Sequence, residues 1–574
     1  MSPSFTALVP SHLRVRSRRL VVAAMVTGAL TAPACLSDLR FVRGEGDFCD
    51  LDTDCGDTLY CSLDDSQCLP RLDDAQPCAE DQACLSGECE NGVCCVNACP
   101  GACRSCSVPG WVGQCVSAPE GSDPFDACPG TTSCSANAEC QASVEWSLAV
   151  GDQSDQHVAA IAVGPEGDVF VAGTFRGTLN FETGPLQNPG DDDLFVARIA
   201  RGGDDVVWAA AIGGAGRQVV EDIAVDEDGN VYVVGWFTTE IVDDNGLVVP
   251  NAGVSPDEEG DGFVAAIDAD GTIAWLTPVA AAGDQRLTSI ATTDGSVVVG
   301  GRTSGDLTLG TCLSSASPTD ADALLFTMAN AGFCTNMRTV GSPGAPQTVT
   351  ALAVGGGRVF AAIVGRGEVD FGNGPVVAGD EDLDVWVTSL GFGLSAAWTT
   401  LVAGVGDEAA EHLTPDAADG VWLVGSSTAT ADPDALLETT VERDVLLAHV
   451  DDEGNEIARH VFEGPYDQVG RGLVLDDEGQ LIVTGDFELG VDLGDGGITT
   501  HGGTDVFVAT LAPDGTPSWS LPLGSRMNES VAGIGRTPNG GIVLGFDFED
   551  RVVLGVSSHR PEGGRDVLVA ELDP

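Results

Sequence analysis

From about residue 144 to the C-terminus, one pattern of apolar and polar positions recurs seven times. Each copy begins with alternating apolar residues on both sides of a Gly-containing turn, as in "DIAVDEDGNVYVVG" (222–235), which predicts a β-hairpin. A third apolar run opened by Asp follows, as in "DGFVAAI" (261–267). After a polar turn, a fourth run begins near an aromatic or bulky residue. The residues at that place are Trp208, Trp275, Met337, Trp398, His460 and Trp519, with Trp146 before the first hairpin.

Four short strands per unit, with a period of about 60 residues, predict a β-propeller in which each blade buries a face that its neighbour completes. Seven units predict seven blades, so the fold class is an all-β, seven-bladed propeller of four-stranded blades over 144–574. The last copy ends at "DVLVAEL" without a fourth strand, whereas "VEWSLAV" (144–150) precedes the first hairpin. We therefore expect 144–150 to complete the last blade and remove an exposed sheet edge.

The repeats resemble the bacterial SBBP-like β-propeller repeats, whose copies read D-G-N-V-Y-V-x-G followed by D-x-F-V-A-K-L. In "DLFVARI" (193–199), Arg198 stands in the place of the Lys, and other residues replace it in other copies. The resemblance implies the propeller fold and names no ligand or reaction.

Seven Asp residues open the third strands. One interpretation is a ring of carboxylates that binds a cation, and the other is a repeated local hydrogen bond that shapes the turn. A residue present in every unit is typical of a structural requirement, because a functional site usually breaks the symmetry of a repeat. We predict structural roles for Asp193, Asp261, Asp322, Asp384, Asp444, Asp505 and Asp566.

Residues 49–142 contain all but three of the 19 cysteines, the others being Cys35, Cys312 and Cys334. Such density in a polar segment predicts a module held by disulfides instead of a core, with a submodule boundary near residue 76. Zinc is the alternative at Cys103 and Cys106, but a second Cys-x-x-Cys pair is missing. The spacing is similar to that of cysteine-rich modules of secreted bacterial lipoproteins and of dickkopf-type repeats. We expect Cys312 and Cys334 to form a disulfide across one blade.

The N-terminus carries four arginines, an apolar run and "LTAPAC", which is typical of an export signal over 1–34. "LTAPAC" resembles a bacterial lipobox, although Ala32 stands where Leu is usual. The resemblance implies lipidation at Cys35, followed by a linker over 35–48, and Leu36 after it implies the outer membrane. Lipidation of Cys35 would leave 18 cysteines, an even number. Cleavage as an ordinary secretory signal remains the alternative.

The net charge is −63, from 88 acidic residues against 25 basic ones, all of them arginine. This excess excludes binding to nucleic acid through phosphate neutralisation and predicts membrane contact through the lipid anchor only. No cofactor or metal is predicted. Calcium is possible at acidic loops such as 257–262 but is not indicated, and "DEDGN" (226–230) reads as a hairpin turn because it lacks the calcium-loop spacing. Trp236 and Trp386 lie outside the repeat pattern and are candidates for exposed contacts.

The sequence contains neither a zinc-protease His-Glu-x-x-His nor a Gly-x-Ser-x-Gly nucleophile elbow, so no catalytic residue is predicted. We predict a cell-surface binding or adhesion protein, at the outer membrane or secreted, that presents a propeller on a cysteine-rich stalk to an extracellular protein or glycan. The alternative is a propeller hydrolase or lyase acting on extracellular polysaccharide. An asymmetric pocket that combines His, Arg and carboxylates would favour this alternative. A purely structural envelope protein is the third possibility.

Overall fold

A computed structural model describes residues 143–573, except 182, 189–190, 204, 243–245, 254–258, 317–319, 380–381, 405, 429–441, 495–496 and 556. Before residue 143 it describes short pieces between 55 and 141. The predicted export signal (1–34), Cys35, the linker (35–48) and the Cys103–Cys106 pair lie outside the described residues. The chain divides into two units, 1–94 and 95–574.

Seven four-stranded antiparallel sheets make up the second unit, and they confirm the predicted seven-bladed propeller. Blades 1 to 6 take their strands in chain order, hairpin first, and blade 7 does so for its first three strands. The strands are Gln156–Val163, Val169–Phe175, Asp193–Ile199 and Val206–Ile212 in blade 1; Gln218–Val225, Val231–Phe237, Asp261–Ile267 and Ile273–Val279 in blade 2; Gln285–Thr293, Ser296–Thr303, Asp322–Ala329 and Cys334–Val340 in blade 3; Gln347–Gly355, Arg358–Gly365, Asp384–Leu390 and Ala396–Val402 in blade 4; Glu408–Pro415, Val421–Thr428, Arg443–Val450 and Glu456–Phe462 in blade 5; Gln468–Leu475, Leu481–Val491, Ile498–Leu511 and Pro517–Leu523 in blade 6; and Glu529–Arg536, Ile542–Phe548, Asp566–Leu572 and Val144–Val150 in blade 7.

Blade 7 takes its fourth strand from the start of the propeller. Val144–Val150 pairs antiparallel with Asp566–Leu572, with Leu148 opposite Val569. This pairing confirms the predicted closure, which joins the two ends of the ring and leaves blade 7 with a complete sheet.

The hydrophobic core is divided among the seven contacts between neighbouring blades. Val, Leu, Ile and Phe side chains from two adjacent blades form each cluster, and the cluster between blades 7 and 1 joins Val569 to Phe195. A strand buried on both faces needs apolar residues at consecutive positions, which explains runs such as "VYVV" in the second strands.

The first strands contact one another around the ring and line its central channel. Each contains a β-bulge at its fourth residue, where the register with the second strand shifts. A bulge re-aims a side chain and leaves backbone groups without ladder partners. The bulged residues are Ala159, Glu221, Thr288, Thr350, Glu411, Arg471 and Ala532, and all of them line the channel.

The aromatic residues of the fourth strands pack against the next blade. Trp398 donates its indole N–H to the carbonyl of Asp452 at 2.9 Å, and its ring covers Gly454, where a Cβ would lie 2.8 Å from Trp398 Cγ. Gly454 has φ +87°, a conformation that glycine adopts without strain. In the contact where Met337 replaces Trp, the corresponding turn residue is Leu394, with φ 59°. These contacts give the fourth-strand aromatic residues a packing role between neighbouring blades.

Small hairpins that the repeat pattern did not predict are inserted between the second and third strands. They comprise Thr178–Asn180 with Pro185–Gln187, Glu240–Val242 with Val248–Pro250, Leu307–Leu309 with Cys312–Ser314, Glu368–Val369 with Val376–Val377, and Val552–Leu554 with Ser557–His559. In blade 3, a disulfide links the hairpin residue Cys312 to Cys334 on the fourth strand.

In the described pieces of the N-terminal region, the cysteines form disulfides: Cys55–Cys68, Cys78–Cys89 and Cys84–Cys94, with Cys61, Cys95 and Cys115 also disulfide-bonded. The short strand pairs there are Leu59–Ser62 with Gln67–Pro70, Cys89–Glu90 with Val93–Cys94, Arg104–Ser105 with Val116–Ser117, and Ser133–Cys134 with Cys140–Gln141. Within the described parts of the chain, no helix is long and apolar enough to cross a membrane.

Candidate functional site

The seven predicted Asp residues are buried where one blade meets the next. In five of the seven, the carboxylate accepts a hydrogen bond from a backbone N–H group: Asp566 from Glu562 at 2.8 Å, Asp384 from Gly379 at 3.0 Å, Asp505 from His501 at 2.7 Å, Asp444 from Gly464 at 3.2 Å, and Asp261 from Ala252. Neighbouring glycines leave them room, because a Cβ on Gly524 would lie 2.3 Å from the Asp505 carboxyl carbon. The geometry is that of a repeated structural hydrogen bond.

Beside each Asp lies a second buried polar residue that the sequence interpretation missed. It is the first residue of every first strand: Gln156, Gln218, Gln285, Gln347, Glu408, Gln468 and Glu529. In blade 3, Gln285 accepts the N–H of Ala281 at 2.9 Å and donates its own backbone N–H to Gly260 of blade 2 at 2.7 Å. The recurring Gln or Glu before the hairpin was a visible signal. We call these residues and the seven Asp the junction ring.

Burial raises the pKa of several acids of the junction ring. Desolvation raises the pKa of Asp193, Asp261 and Asp566 to about 6, against the backbone hydrogen bonds that lower it. Burial also raises the pKa of Glu529 to about 7, with the charge of Asp505 adding to it. Glu529 accepts both the N–H and the hydroxyl of Ser525, at 2.6 and 2.5 Å.

The central channel, about 540 Å³, is where the blades differ. Arg471 of blade 6 donates to Asp486 at 3.0 Å and lies 3.3 Å from Glu411 of blade 5. Burial lowers the pKa of His412 to about 4, so this imidazole is neutral at physiological pH. The position of Arg471 and Glu411 holds Ala, Thr or Glu in the other blades, and the position of His412 holds Ala, Gly, Ser or Asp.

Several carboxylates at the channel bind backbone N–H groups beside the bulges. Asp547 accepts the N–H of Val158, Asp486 that of Val531 and Asp222 that of Ile290, each at 2.8 Å and each on the following blade. Burial is the main cause that raises the pKa of Asp222, to about 6. These acids satisfy groups that the bulges leave unpaired, so their presence in the channel has a structural cause.

A pocket of about 560 Å³ lies at the end of the channel near the starts of the first strands of blades 1, 2 and 7. We call it the mouth pocket, and it is lined by His157, Arg176, Asp192, Arg217, Glu549 and Arg565 among others. Arg176 and Arg217 both donate to Asp192, at 2.5 and 2.9 Å. Arg565 donates to Glu549 at 3.1 Å.

His157 lies where the mouth pocket meets the channel, since it lines both. Its Nδ1 is 2.5 Å from Asp547 Oδ2, and the contact joins residues 390 positions apart in the chain. Burial favours the neutral imidazole, but the hydrogen bond and the charge of Asp547 outweigh it and raise the pKa of His157. His157 can therefore act as an oriented proton donor or acceptor.

The expectation that Trp236 and Trp386 are exposed is wrong. Trp386 is fully buried and donates to the carbonyl of Val376 at 3.0 Å. Trp236 is 8% exposed, donates to Glu221 at 2.7 Å and has the guanidinium of Arg286 over its ring at 4.2 Å. Breaking the repeat pattern did not place these rings in solvent, because each side chain has a partner within the fold.

Two groups of residues of the types that bind metals have other bonding partners in the structure. Asp226 accepts the N–H groups of Asp228 and Asn230, at 3.0 and 2.9 Å, which is the bonding of a hairpin turn. The sulfur atoms of Cys78, Cys84 and Cys94 lie within 4.8 Å of one another, but Cys78 and Cys84–Cys94 are engaged in disulfides. A thiolate is what a metal requires, so these sulfurs do not form a metal site.

Residues 207–236 match the family model SBBP, described as Beta-propeller repeat. The match covers the fourth strand of blade 1 and most of the first hairpin of blade 2, and it agrees with the resemblance seen in the repeats. No curated protein sequence matches the chain.

Among solved structures, the chain is similar to Kuenenia stuttgartiensis hydrazine synthase, with 10% identity, 70% of this chain and 95% of that chain covered, and a TM-score of 0.39. It is also similar to an ulvan lyase of a polysaccharide lyase family, with 10% identity, 73% and 97% covered, and a TM-score of 0.39. The β-propeller domain of the Trilobed protease from Pyrococcus furiosus has 6% identity, 71% and 97% covered, and a TM-score of 0.37. Likenesses this distant carry no functional argument.

Proposed function

We propose that the protein is an exported surface protein, lipid-anchored through Cys35 at the outer membrane, that binds an extracellular ligand in its mouth pocket. The main observation behind the proposal is the place where the blades differ from one another. The junction ring repeats in all seven blades, whereas the mouth pocket places His157 and three arginines where most blades have other residues. A binding site on a repeated scaffold is expected where the repeat is broken.

The anchor follows from the sequence around Cys35 and from the disulfides, which are typical of proteins in oxidising compartments. Intact and peptide mass spectrometry of the unreduced protein from its native membrane tests it. We expect an acyl adduct on Cys35 and no free thiol. An unmodified N-terminus in the culture fluid would contradict the anchor and leave a soluble secreted protein.

The binding role is tested by capture of the intact protein on arrays of extracellular polysaccharides and surface proteins. We expect capture that the double substitution Arg217→Gln with Arg565→Gln reduces at least tenfold. The double substitution Arg201→Gln with Arg551→Gln is the control, because both arginines are exposed, neither lines the mouth pocket, and the charge change is the same. Equal loss in both variants would remove the mouth pocket from the proposal.

The second candidate is an enzyme that cleaves an extracellular polysaccharide, and the His157–Asp547 pair favours it. Asp547 holds the ring of His157 through Nδ1, which leaves Nε2 toward the pocket for proton transfer, and Arg565 lies 3.7 Å from Asp547. Incubation with a polysaccharide panel, assayed for reducing ends and for unsaturated products, tests this function. Cleavage that His157→Ala abolishes would establish it. Binding without cleavage would leave the binding role alone.

A further inference from the structure

The charged side chains of the mouth pocket lie at two depths, and the arginines and His157 are more exposed than their acidic partners. The side chains of Arg176, Arg217 and Arg565 are 55%, 53% and 42% exposed, and that of His157 is 51% exposed. Their partners lie beneath them: Asp192 is 14% exposed, Glu549 22% and Asp547 2%. The pocket is nearly neutral in total, but the groups that an entering ligand meets first are mostly cations.

Some N–H groups of the mouth-pocket arginines make no hydrogen bond to another side chain. Among the described residues, Arg217 donates to another side chain through Nε only, to Asp192 at 2.9 Å, and Arg565 does so through Nη2 only, to Glu549 at 3.1 Å. Asp192 and Glu549 thereby fix the two guanidinium groups. Arg565 Nη1 also lies 3.7 Å from Asp547 Oδ2, whereas the two terminal nitrogens of Arg217 and Nε of Arg565 make no side-chain hydrogen bond among the described residues. A guanidinium held in this way is suited to a planar or tetrahedral anion.

We propose that the mouth pocket binds the carboxylate or sulfate groups of an acidic extracellular polysaccharide, with Arg217 and Arg565 as binding residues and His157 as a proton-dependent third donor. The inference rests on the proposed function, because it names the ligand class of the same site. The net charge of the chain is −63, so long-range repulsion opposes such a ligand, and the exposed cations of the mouth pocket provide a local attraction.

An acidic peptide fits the pocket less well. Among the described lining residues, Met527 has the one apolar side chain apart from the methyl group of Thr174. Peptides bind by adding a strand to an open sheet edge, by placing apolar side chains in a groove, or through Arg clusters that recognise acidic motifs. The pocket offers only the third of these features, and its volume of about 560 Å³ lies in the range for a small ligand such as one or two sugar rings.

The role of His157 makes binding dependent on pH. Asp547 and Glu221 face it as negative groups and Arg565 as a positive one, and their combined effect, with burial opposing it, raises the pKa of His157. Asp155, Glu549, Arg176 and Arg217 line the same pocket. The imidazolium donates to an anion in mild acid, and that donor charge is lost as pH rises, so affinity falls on going from pH 6 to pH 8.

Calorimetric titration of the full chain with a galacturonate tetrasaccharide and with its neutral methyl ester tests the inference. We expect the acid to bind and the ester to bind at least tenfold more weakly. Arg217→Gln and Arg565→Gln should each weaken binding of the acid about tenfold, and Arg551→Gln should leave it unchanged. His157→Gln should remove the pH dependence. Arg217→Lys should recover part of the affinity, and thermal unfolding of each variant shows that it is folded.

Three outcomes would overturn the inference. Equal binding of acid and ester, lost in the double variant, would keep the mouth pocket as a binding site and remove the anionic ligand class. Tighter binding of polyglutamate through the same residues would replace the polysaccharide with an acidic protein. Absence of binding by the tetrasaccharide and by inorganic sulfate would reject the anion site, while array capture decides separately whether the proposed function stands.

Discussion

The junction ring and the mouth pocket are both built from charged and polar side chains near the starts of first and third strands, yet they differ in symmetry. The junction ring has an Asp and a Gln or Glu in each blade, buried and bonded mainly to backbone groups. The mouth pocket combines His157, Arg217 and Arg565 from three different blades, and their side chains are about half exposed.

This difference separates residues that hold the blades together from residues that are available to a ligand. A buried carboxylate accepts a backbone N–H at the same position in five of the seven blades. The mouth-pocket arginines do not recur in this way, because Arg217 has no arginine counterpart in the other blades and Arg565 has one, Arg443. Substitutions in the junction ring should therefore change stability, and substitutions in the mouth pocket should change binding.

The largest effect is expected at the junction ring. Asp261→Ala removes a fully buried carboxylate and, with it, the acceptor of the Ala252 N–H. We expect a loss of about 3 kcal/mol in the free energy of unfolding. Denaturant unfolding of the full chain measures it. Asp261→Asn keeps one acceptor oxygen and should cost less, whereas an unchanged midpoint for Asp261→Ala would contradict the structural role.

The contact between fourth-strand aromatics and turn glycines is expected to have the next largest effect. Gly454→Ala adds a Cβ at φ +87° and 2.8 Å from Trp398 Cγ, so we expect a loss of about 2 kcal/mol. Gly479→Ala is the matched control, because Gly479 has φ +81° with open space around it. That variant should lose about 1 kcal/mol. Equal shifts in the melting temperature would show that the Trp contact contributes nothing.

Glu529 allows Glu and Gln to be compared at one position of the junction ring, because five of the other six blades have Gln at that place. Burial keeps its carboxyl protonated in the folded protein up to a pKa of about 7, while the unfolded chain ionises near its ordinary value of 4.5. Stability is therefore lost as pH rises between these values. Glu529→Gln should remove that loss and add about 1 kcal/mol at pH 8. Melting temperatures from pH 4 to pH 8 check this, and a steeper loss in the variant would contradict it.

The smallest effect on stability is expected in the mouth pocket. Arg217→Gln breaks an ion pair with Asp192 on a side chain that is 53% exposed, so we expect a change below about 0.5 kcal/mol. The melting temperature of the variant, measured beside its affinity for the acidic tetrasaccharide, makes the comparison direct. A loss of stability as large as that of Asp261→Ala would place Arg217 with the structural residues.

The strands, the blade number and the closure by Val144–Val150 could be predicted because they depend on a local alternation of apolar and polar residues that recurs in the chain. The seven Asp could be found by the same repetition. The small inserted hairpins could not, because their three-residue strands are too short to show a period. Trp236 shows the other limit, since its burial depends on Arg286 and Glu221, which neighbouring strands supply.

The all-β class and the seven repeated units follow from the amino-acid sequence, because each depends on residues near one another in the chain. The acidic character follows from it too, because the net charge is a sum over all residues. Tertiary structure alone decided which charged side chains share a pocket. His157 and Asp547 are 390 positions apart and meet because the closing of the ring places blade 7 beside blade 1. Nothing local distinguishes these two residues from other His and Asp residues of the chain, and only ring closure brings them together.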